Sequence, residues 1–402
     1  MGVISPVGND VNTFWSNLCN GVCGIDHIKS FPTDNLPVGI AGIIKDFKAE
    51  EYGMDKPFIR KQDLFTQYGV AAAYQAMKQS GLSSQGENKN IDPFRLGVYF
   101  GSGIGGFATQ YREISKMIED PSGQWISPLF IPTMISNIAA GHIAILNNAQ
   151  GPCLDIVTAC ATSTNAMGEA FRAIRNGYAD AIITGGCENA TIPIGIVGFA
   201  NAKALSRATD PNYASLPFNG NRAGFVMADG SAALVLEEYE HAKARGAQIL
   251  GEMVGYGNTC DAYHSTAPRP AGTTQAKCIE LAPEEAGFDK EKDNLYQDAK
   301  ADTIKEFLAV YDNLERAVST EGDEDSPHKK GLEMIFHQYQ EILKKLGVTE
   351  IEAQGAPFDP EKHNAVMHID DENFGENVVS QVFQAGFMMG DKVIRHAIVQ
   401  VA

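Results

Sequence analysis

Cys153-Leu-Asp-Ile-Val-Thr-Ala-Cys160-Ala-Thr-Ser-Thr-Asn-Ala-Met167-Gly168 is the most informative stretch of this 402-residue chain. An apolar strand ends, small residues allow a sharp turn, and an amphipathic helix follows at once. Cys160 is therefore expected at a helix N-terminus, where free N–H groups and the helix dipole favour thiolate over thiol. Ala159 and Ala161 leave room for an electrophilic carbonyl, and the same N–H groups would stabilise the oxyanion formed on attack. An unreactive core cysteine fits the local sequence equally well.

Working outward, Leu96–Phe100, Leu154–Val157, Ala181–Thr184 and Ala232–Leu236 read as buried strands. Asp63–Ser80, Thr164–Asn176 and Glu238–Arg245 read as helices between them, which predicts an α/β layered fold. Downstream, Asp261-Ala-Tyr-His264-Ser-Thr266-Ala-Pro268 places a histidine in a loop of small and turn residues. Beside a nucleophilic Cys160, His264 would supply the polarising or proton-transfer group that thiol chemistry needs. Gly101-Ser-Gly103-Ile-Gly-Gly106 after a strand also fits a dinucleotide fingerprint. No acidic residue ends a second strand about twenty positions on, so a nucleotide-dependent oxidoreductase is a poor alternative.

Composition switches near Phe288-Asp289-Lys290. Of 40 glycines, 33 fall in residues 1–289 and 7 in 290–402. Net charge is -8 in the first part (20 basic, 28 acidic) and -10 in the much shorter second (12 basic, 22 acidic). Beyond the switch, Ile304, Phe307, Leu308, Tyr311, Leu314 and Val318 recur at helical spacing, as do Leu332, Ile335, Phe336, Tyr339, Leu343 and Leu346. With Ser319–Pro327 as the turn between them, they predict a helical hairpin whose stripes are buried in a dimeric bundle. The last fifty or so residues read as a small β-domain. Met367 and Ile369 alternate, and Gly390-Asp391 is a hairpin turn before Val393–Val401.

The first part resembles the β-ketoacyl-acyl-carrier-protein synthases. The likeness is carried by Met1-Gly-Val-Ile-Ser-Pro-Val-Gly, Gly101-Ser-Gly-Ile-Gly-Gly, Thr158-Ala-Cys160-Ala-Thr, Gly198-Phe199, Arg222-Ala-Gly224-Phe225-Val-Met-Ala-Asp229-Gly and the His264 stretch, from residue 1 to about 288. The resemblance implies an incomplete thiolase-like layered α/β fold, normally dimeric. Cys160 would take an acyl chain from an acyl carrier protein, His264 would polarise a malonyl thioester, and Phe199 would line the acyl pocket. The family continues with a lysine, a second histidine and a Gly-Phe-Gly-Gly loop, none of which follows here. Most of its first strand is also absent. The resemblance thus implies that condensation is lost and that one face of the central sheet is uncovered.

Residues 290–402 resemble the GrpE family, with a helical dimerisation segment over 290–350 and a β-domain over 351–402. The likeness runs through Ala301-Asp-Thr-Ile-Lys-Glu-Phe-Leu, Asp312-Asn-Leu-Glu-Arg-Ala317 and Phe358-Asp359-Pro360-Glu-Lys-His363, then Gly386-Phe387, Asp391 and Ile394-Arg395. It implies an α+β module, without most of the family's long N-terminal helix, that loosens the grip of a DnaK-type chaperone on ADP. The residues themselves make His363 a packing or capping group of the Asp359-Pro360 turn, because no nucleophile–base pair accompanies it.

A formal charge of -18 repels phosphate backbones and argues against nucleic acid or anionic membrane as partner. No apolar run is long enough to cross a bilayer, and the N-terminus lacks the pattern of a signal peptide, so the expected location is cytoplasmic. Seven irregularly spaced cysteines are not a disulfide framework. Most are expected to be core residues, and neither a metal site nor a cofactor is expected. Three readings follow: a condensing enzyme with an appendage, an exchange factor with an inert passenger, or a join without evolved joint function. The mid-domain junction without a linker favours the last.

Overall fold

The computed structural model describes residues 1–320, 326–369 and 374–402, with the side chains of 288–294 excluded. The chain divides into two compact units, Met1–Ile279 and Glu280–Ala402.

The first unit runs β1 (Gly2–Ile4), α1 (Val11–Cys19), β2 (Asp26–His27), β3 (Ile40–Ala41), α2 (Lys56–Lys61), α3 (Leu64–Ser80), β4 (Leu96–Gly101), α4 (Phe107–Glu119), α5 (Phe130–Met134) and α6 (Ile138–Leu146). It continues through β5 (Cys153–Leu154), α7 (Thr162–Arg175), β6 (Ala181–Glu188), α8 (Pro193–Asn201), β7 (Gly230–Glu237) and α9 (Tyr239–Ala244), and α10 (Thr273–Ala286) begins within it. Five strands form one sheet in the order β1-β7-β6-β4-β5. β6 pairs parallel with β4 and antiparallel with β7, so the sheet is mixed.

β4 and the first seven residues of β6 are buried throughout, as strands covered on both faces require. The two faces separate by alternation. Leu96, Val98, Phe100, Ala181 and Ile183 pack with Phe65, Ala72, Ala76 and Ile143 of α3 and α6. Tyr99 and Ile182 point the other way and pack with Ala170 and Ala173 of α7. Helix α3 starts where Asp63 accepts the Phe65 N–H at 3.3 Å. The other Asp63 oxygen takes the Thr109 N–H and hydroxyl at 2.9 and 2.7 Å, so this buried carboxylate is fully used.

The second unit contains α11 (Phe288–Ser319), α12 (Pro327–Lys345), β8 (Val348–Glu350), β9 (His363–His368), β10 (Val379–Gln384), β11 (Phe387–Met389), β12 (Lys392–Arg395) and β13 (Ala397–Val401). The two helical arms are present; residues 321–325 of the turn expected between them lie outside the described residues. Their stripe is divided. Ile304, Leu308, Tyr311 and Leu343 are buried with Val348, Phe387, Met389 and Ile394 of the β8-β11-β12 sheet. Phe307, Ile335 and Leu346 of the stripes remain exposed, as does Ile342 beside them. A second three-stranded sheet, β10-β13-β9, has its own core of Ile351, Val379, Val399 and Val401.

Gly390-Asp391 does turn a hairpin, with Met389 opposite Lys392. The segment expected as one strand over 393–401 is two, however, in different sheets. Arg395 ends β12 because its guanidinium is pinned to the Ala385 carbonyl and, through two bonds of 2.7 and 2.8 Å, to Asp312 of α11. Ala397 then lies against Gly386, where a Cβ would fall 2.4 Å from the Ala397 nitrogen.

The expectation that most cysteines are core residues is corrected. Cys187 alone is buried; Cys19, Cys23, Cys153, Cys160 and Cys260 are exposed and Cys278 is intermediate. Cys153 sits on the outermost strand β5, and α1, which ends at Cys19, buries none of its residues.

Candidate active site

Cys160 lies in a single 3-10 turn, Ala159–Ala161, that leads directly into α7. The strand expected to run to Val157 stops at Leu154, because the chain must swing toward α7. The Thr158 N–H donates to the Thr162 hydroxyl at 2.9 Å, and the Ala161 N–H donates to the Thr158 carbonyl at 3.2 Å. Ala159 pays for this tight geometry with a φ of 52°, a conformation costing an L-residue about 1 kcal/mol. No side chain caps α7; the 3-10 turn leads into it instead, with the Thr162 N–H donating to the Ala159 carbonyl. Residues 157–161 are all exposed.

The floor of the turn is β6. Helix α7 approaches it so closely that a Cβ at Gly186 would sit 2.2 Å from the Ser163 hydroxyl. At the end of β6, Glu188 accepts the Ser102 hydroxyl at 3.0 Å and the Gly103 N–H at 2.9 Å. Burial raises the Glu188 carboxyl above the ordinary glutamate range. These bonds settle the chemistry of the glycine-rich 101–106 loop: its amide is turned onto an internal carboxylate and offers no cradle to a phosphate. Asp229 is also buried, accepts the Ala190 and Thr191 N–H groups at 3.1 Å each, and is likewise raised by burial. It fastens the turn after β6. Sequence reasoning missed Glu188, although a lone carboxylate closing the apolar run of β6 was a usable signal.

His264 is exposed, and its Nδ1 accepts the N–H groups of Thr266 and Ala267 at 3.1 and 3.0 Å. An Nδ1 that accepts two amides carries no proton, so the neutral ring holds its proton on Nε2 and presents a donor there. Asp261 secures the base of the loop by accepting the Arg269 N–H at 2.6 Å and the Thr274 hydroxyl. Among the described residues no hydrogen bond joins Cys160 to His264. Their segments meet through α7 instead. Tyr256 lies on Gly168, where a Cβ would fall 2.2 Å from its ring, and its hydroxyl donates to Asn165 at 3.1 Å. The Arg172 guanidinium stacks on the same ring at 4.8 Å. Phe199, on α8, is partly exposed and meets Phe225 edge-on at 5.5 Å. Phe225 in turn borders a cavity of about 410 Å³ with Ser215, Leu216, Pro217, Arg222 and Gly224.

In the second unit the residues singled out from sequence chiefly hold the framework. Phe387 is buried with its ring edge-on to Tyr311 at 4.9 Å, and Arg395 is clamped to Asp312 while covering the Phe387 ring. Gly386 is packed against Ala397. His363 is buried, and its Nδ1 accepts the Asp359 N–H at 3.1 Å, closing the turn through Pro360. Burial lowers its pKa. Phe358 packs on the second core, while Asp391 lies exposed at the hairpin tip. No group of residues suited to a metal ion occurs among the described residues. None of their helices is long and apolar enough to cross a membrane.

Residues 1–242 match the family model of the β-ketoacyl synthase N-terminal domain, and residues 280–402 match that of GrpE. Among curated relatives, 3-oxoacyl-[acyl-carrier-protein] synthase 2 of Vibrio cholerae is 42% identical over 323 residues, covering 80% of this chain and 77% of the relative. The Staphylococcus aureus enzyme of the same name is 44% identical over 299 residues, covering 74% and 72%. A solved type II PKS acyl-carrier protein in complex with its ketosynthase matches with TM-score 0.63 and 30% identity, over 71% of this chain and 68% of that one. A β-ketoacyl synthase from Burkholderia phymatum matches with the same TM-score at 28% identity and the same coverage. The chain therefore belongs to the β-ketoacyl synthase family, through a thiolase-like N-terminal domain that is joined in this molecule to a GrpE segment.

Proposed function

We propose that the first unit performs the acyl-loading half of a ketosynthase reaction at Cys160, without the condensation that follows it in a complete site. The second unit then serves as a nucleotide-exchange factor for a DnaK-type chaperone. The placement of Cys160 carries the first part of this reading: exposed, on a strained turn, directly ahead of an uncapped helix. The Cys160 thiolate attacks the carbonyl carbon of an acyl thioester and a new C–S bond forms. Charge collects on the carbonyl oxygen, and the carrier thiol leaves with the proton that Cys160 lost. An acyl carrier protein is the expected donor, and Phe199 lines the path of the acyl chain. His264, protonated on Nε2, polarises a thioester carbonyl as a hydrogen-bond donor. Condensation needs a second set of donors, and the segment after His264 holds neither the family's second histidine nor its Gly-Phe-Gly-Gly loop.

The GrpE match and the framework around Arg395 and Phe387 support the exchange reading of the second unit. Exposed Phe307 and Ile342 line an apolar groove of about 610 Å³ between α11 and α12, which suits a homodimer. The open outer edge of β5 offers the first unit a second dimer contact. Both activities belong to the cytoplasm. The second reading, an exchange factor with an inert passenger, rests on the same missing donors.

The test supplies the chain with an acyl-carrier-protein thioester and malonyl-carrier protein, and separately with a DnaK-type chaperone holding ADP. Acyl transfer without a ketoacyl product, together with faster ADP release, is expected. A ketoacyl product would contradict the loss of condensation. Failure of transfer with exchange intact would leave the passenger reading, and failure of exchange would remove the role of the second unit.

A further inference from the structure

Glu188 is a half-buried carboxyl that acyl transfer at Cys160 does not consume. It is the last residue of β6, and its bonds run to a single loop. One oxygen takes the Ser102 hydroxyl at 3.0 Å and the other takes the Gly103 N–H at 2.9 Å. The Ser102 oxygen in turn accepts the Gly105 N–H at 2.9 Å. Ser102 is buried, so its hydroxyl is committed both as donor and as acceptor. The carboxyl thereby ties the end of β6 to the loop that follows β4, 85 residues earlier in the chain.

That loop is the wall behind the Cys160 turn. A Cβ at Gly101 would fall 2.3 Å from the Ile156 carbonyl oxygen and 2.4 Å from the Thr162 methyl group, so the chain on both sides of Cys160 lies against the end of β4. Glu188 and the turn meet over the bare Cα of Gly103. A Cβ there would fall 2.8 Å from a Glu188 oxygen and 3.6 Å from the Ala159 carbonyl oxygen. Ala159 holds a φ of 52°, a conformation that a residue with a side chain keeps only where its surroundings fix it. We infer that Glu188 is a positioning residue for Cys160, acting through Gly103 to hold the strained Ala159 peptide and with it the direction of the thiol. The inference deepens the proposed acyl transfer and rests on it for its kinetic readout, but not for its conformational one.

The experiment compares the full chain with Glu188→Ala, Glu188→Gln and Gly103→Ala. Glu188→Ala is expected to slow transfer from an acyl-carrier-protein thioester to Cys160 by about tenfold to a hundredfold, the cost of a misplaced reacting group. Alkylation of the same thiol by iodoacetamide, which develops no oxyanion, should be nearly unchanged. Glu188→Gln keeps an oxygen for the Gly103 N–H and should restore most of the transfer rate. Gly103→Ala drives a methyl group against the carboxyl and should slow transfer alone, yet add nothing to Glu188→Ala, because both break the same link. Amide exchange across 158–162 should quicken in Glu188→Ala and return in Glu188→Gln. Equal losses of transfer and alkylation, no rescue by Gln, or effects of the two substitutions that multiply would overturn the proposal. If Glu188→Ala does not fold, Glu188→Asp, with its shorter reach, replaces it. If the unsubstituted chain takes no acyl group, the proposed transfer fails on its own. Exchange across 158–162 then decides the positioning role, and unchanged exchange in the variants would overturn it.

Discussion

At residue scale the same chemical type takes opposite roles according to its surroundings. His264 is exposed and keeps Nε2 as a free donor, whereas His363 is buried with Nδ1 committed to the Asp359 amide. Burial lowers the His363 pKa in the folded state, so the unfolded chain, with an ordinary value near about 6.5, binds the proton first as pH falls. The stability of the second unit is therefore full above the unfolded pKa and declines as pH drops toward the folded value. Melting temperatures followed from about pH 7.5 to 5.5 should show that decline. His363→Asn keeps an acceptor near the Asp359 N–H and removes the titration, so it should flatten the slope; an unchanged slope would assign the effect to another group. The sequence motif made Cys160 and His264 legible because each sits in a distinctive run. Glu188 was marked only by its place at the end of the apolar run of β6, and Asn165 was not legible, since their partners, Gly103 and Tyr256, lie 85 and 91 residues away.

At the scale of elements, α7 is the organiser of the site. It presents the Cys160 turn at its start, packs on Tyr99 and Ile182 along one side, and holds Tyr256 of the histidine-bearing segment. Gly168→Ala places a methyl group 2.2 Å from the Tyr256 ring, so the ring must leave or the helix must shift, at about 1–3 kcal/mol. Faster amide exchange across 252–258 with little change in β4 and β6 is expected. Unaltered exchange there would mean that Tyr256 does not anchor the segment. Periodicity located the long elements well: α3 was read from Asp63, its N-cap, and β6 from its apolar run. Short elements were less legible. β5 is cut to two residues where the chain swings toward α7, and the last strand is divided by the Arg395 clamp, whose partner Asp312 lies 83 residues away.

At the scale of the whole molecule, two units with separate cores predict two unfolding transitions. Arg395→Ala removes the charge partner of the mostly buried Asp312, which keeps only the Gln384 amide among the bonds described, and should destabilise the second unit by about 3 kcal/mol, the lower end for breaking a buried pair. The transition of the first unit should not move. Cys160→Ala, at an exposed position, should move neither. Composition switches near residue 289, through the drop in glycine and the rise in acidic residues, whereas the compact units divide between Ile279 and Glu280. The central claim, that the fold makes Cys160 a nucleophile, is tested most directly by exposing the chain to an acyl-carrier-protein thioester and mapping the acyl group by peptide mass. Cys19, Cys23, Cys153 and Cys260 are exposed as well and serve as internal references. An adduct confined to Cys160 and lost in Cys160→Ala is the predicted result, whereas no adduct, or one spread evenly over the exposed thiols, would contradict the account.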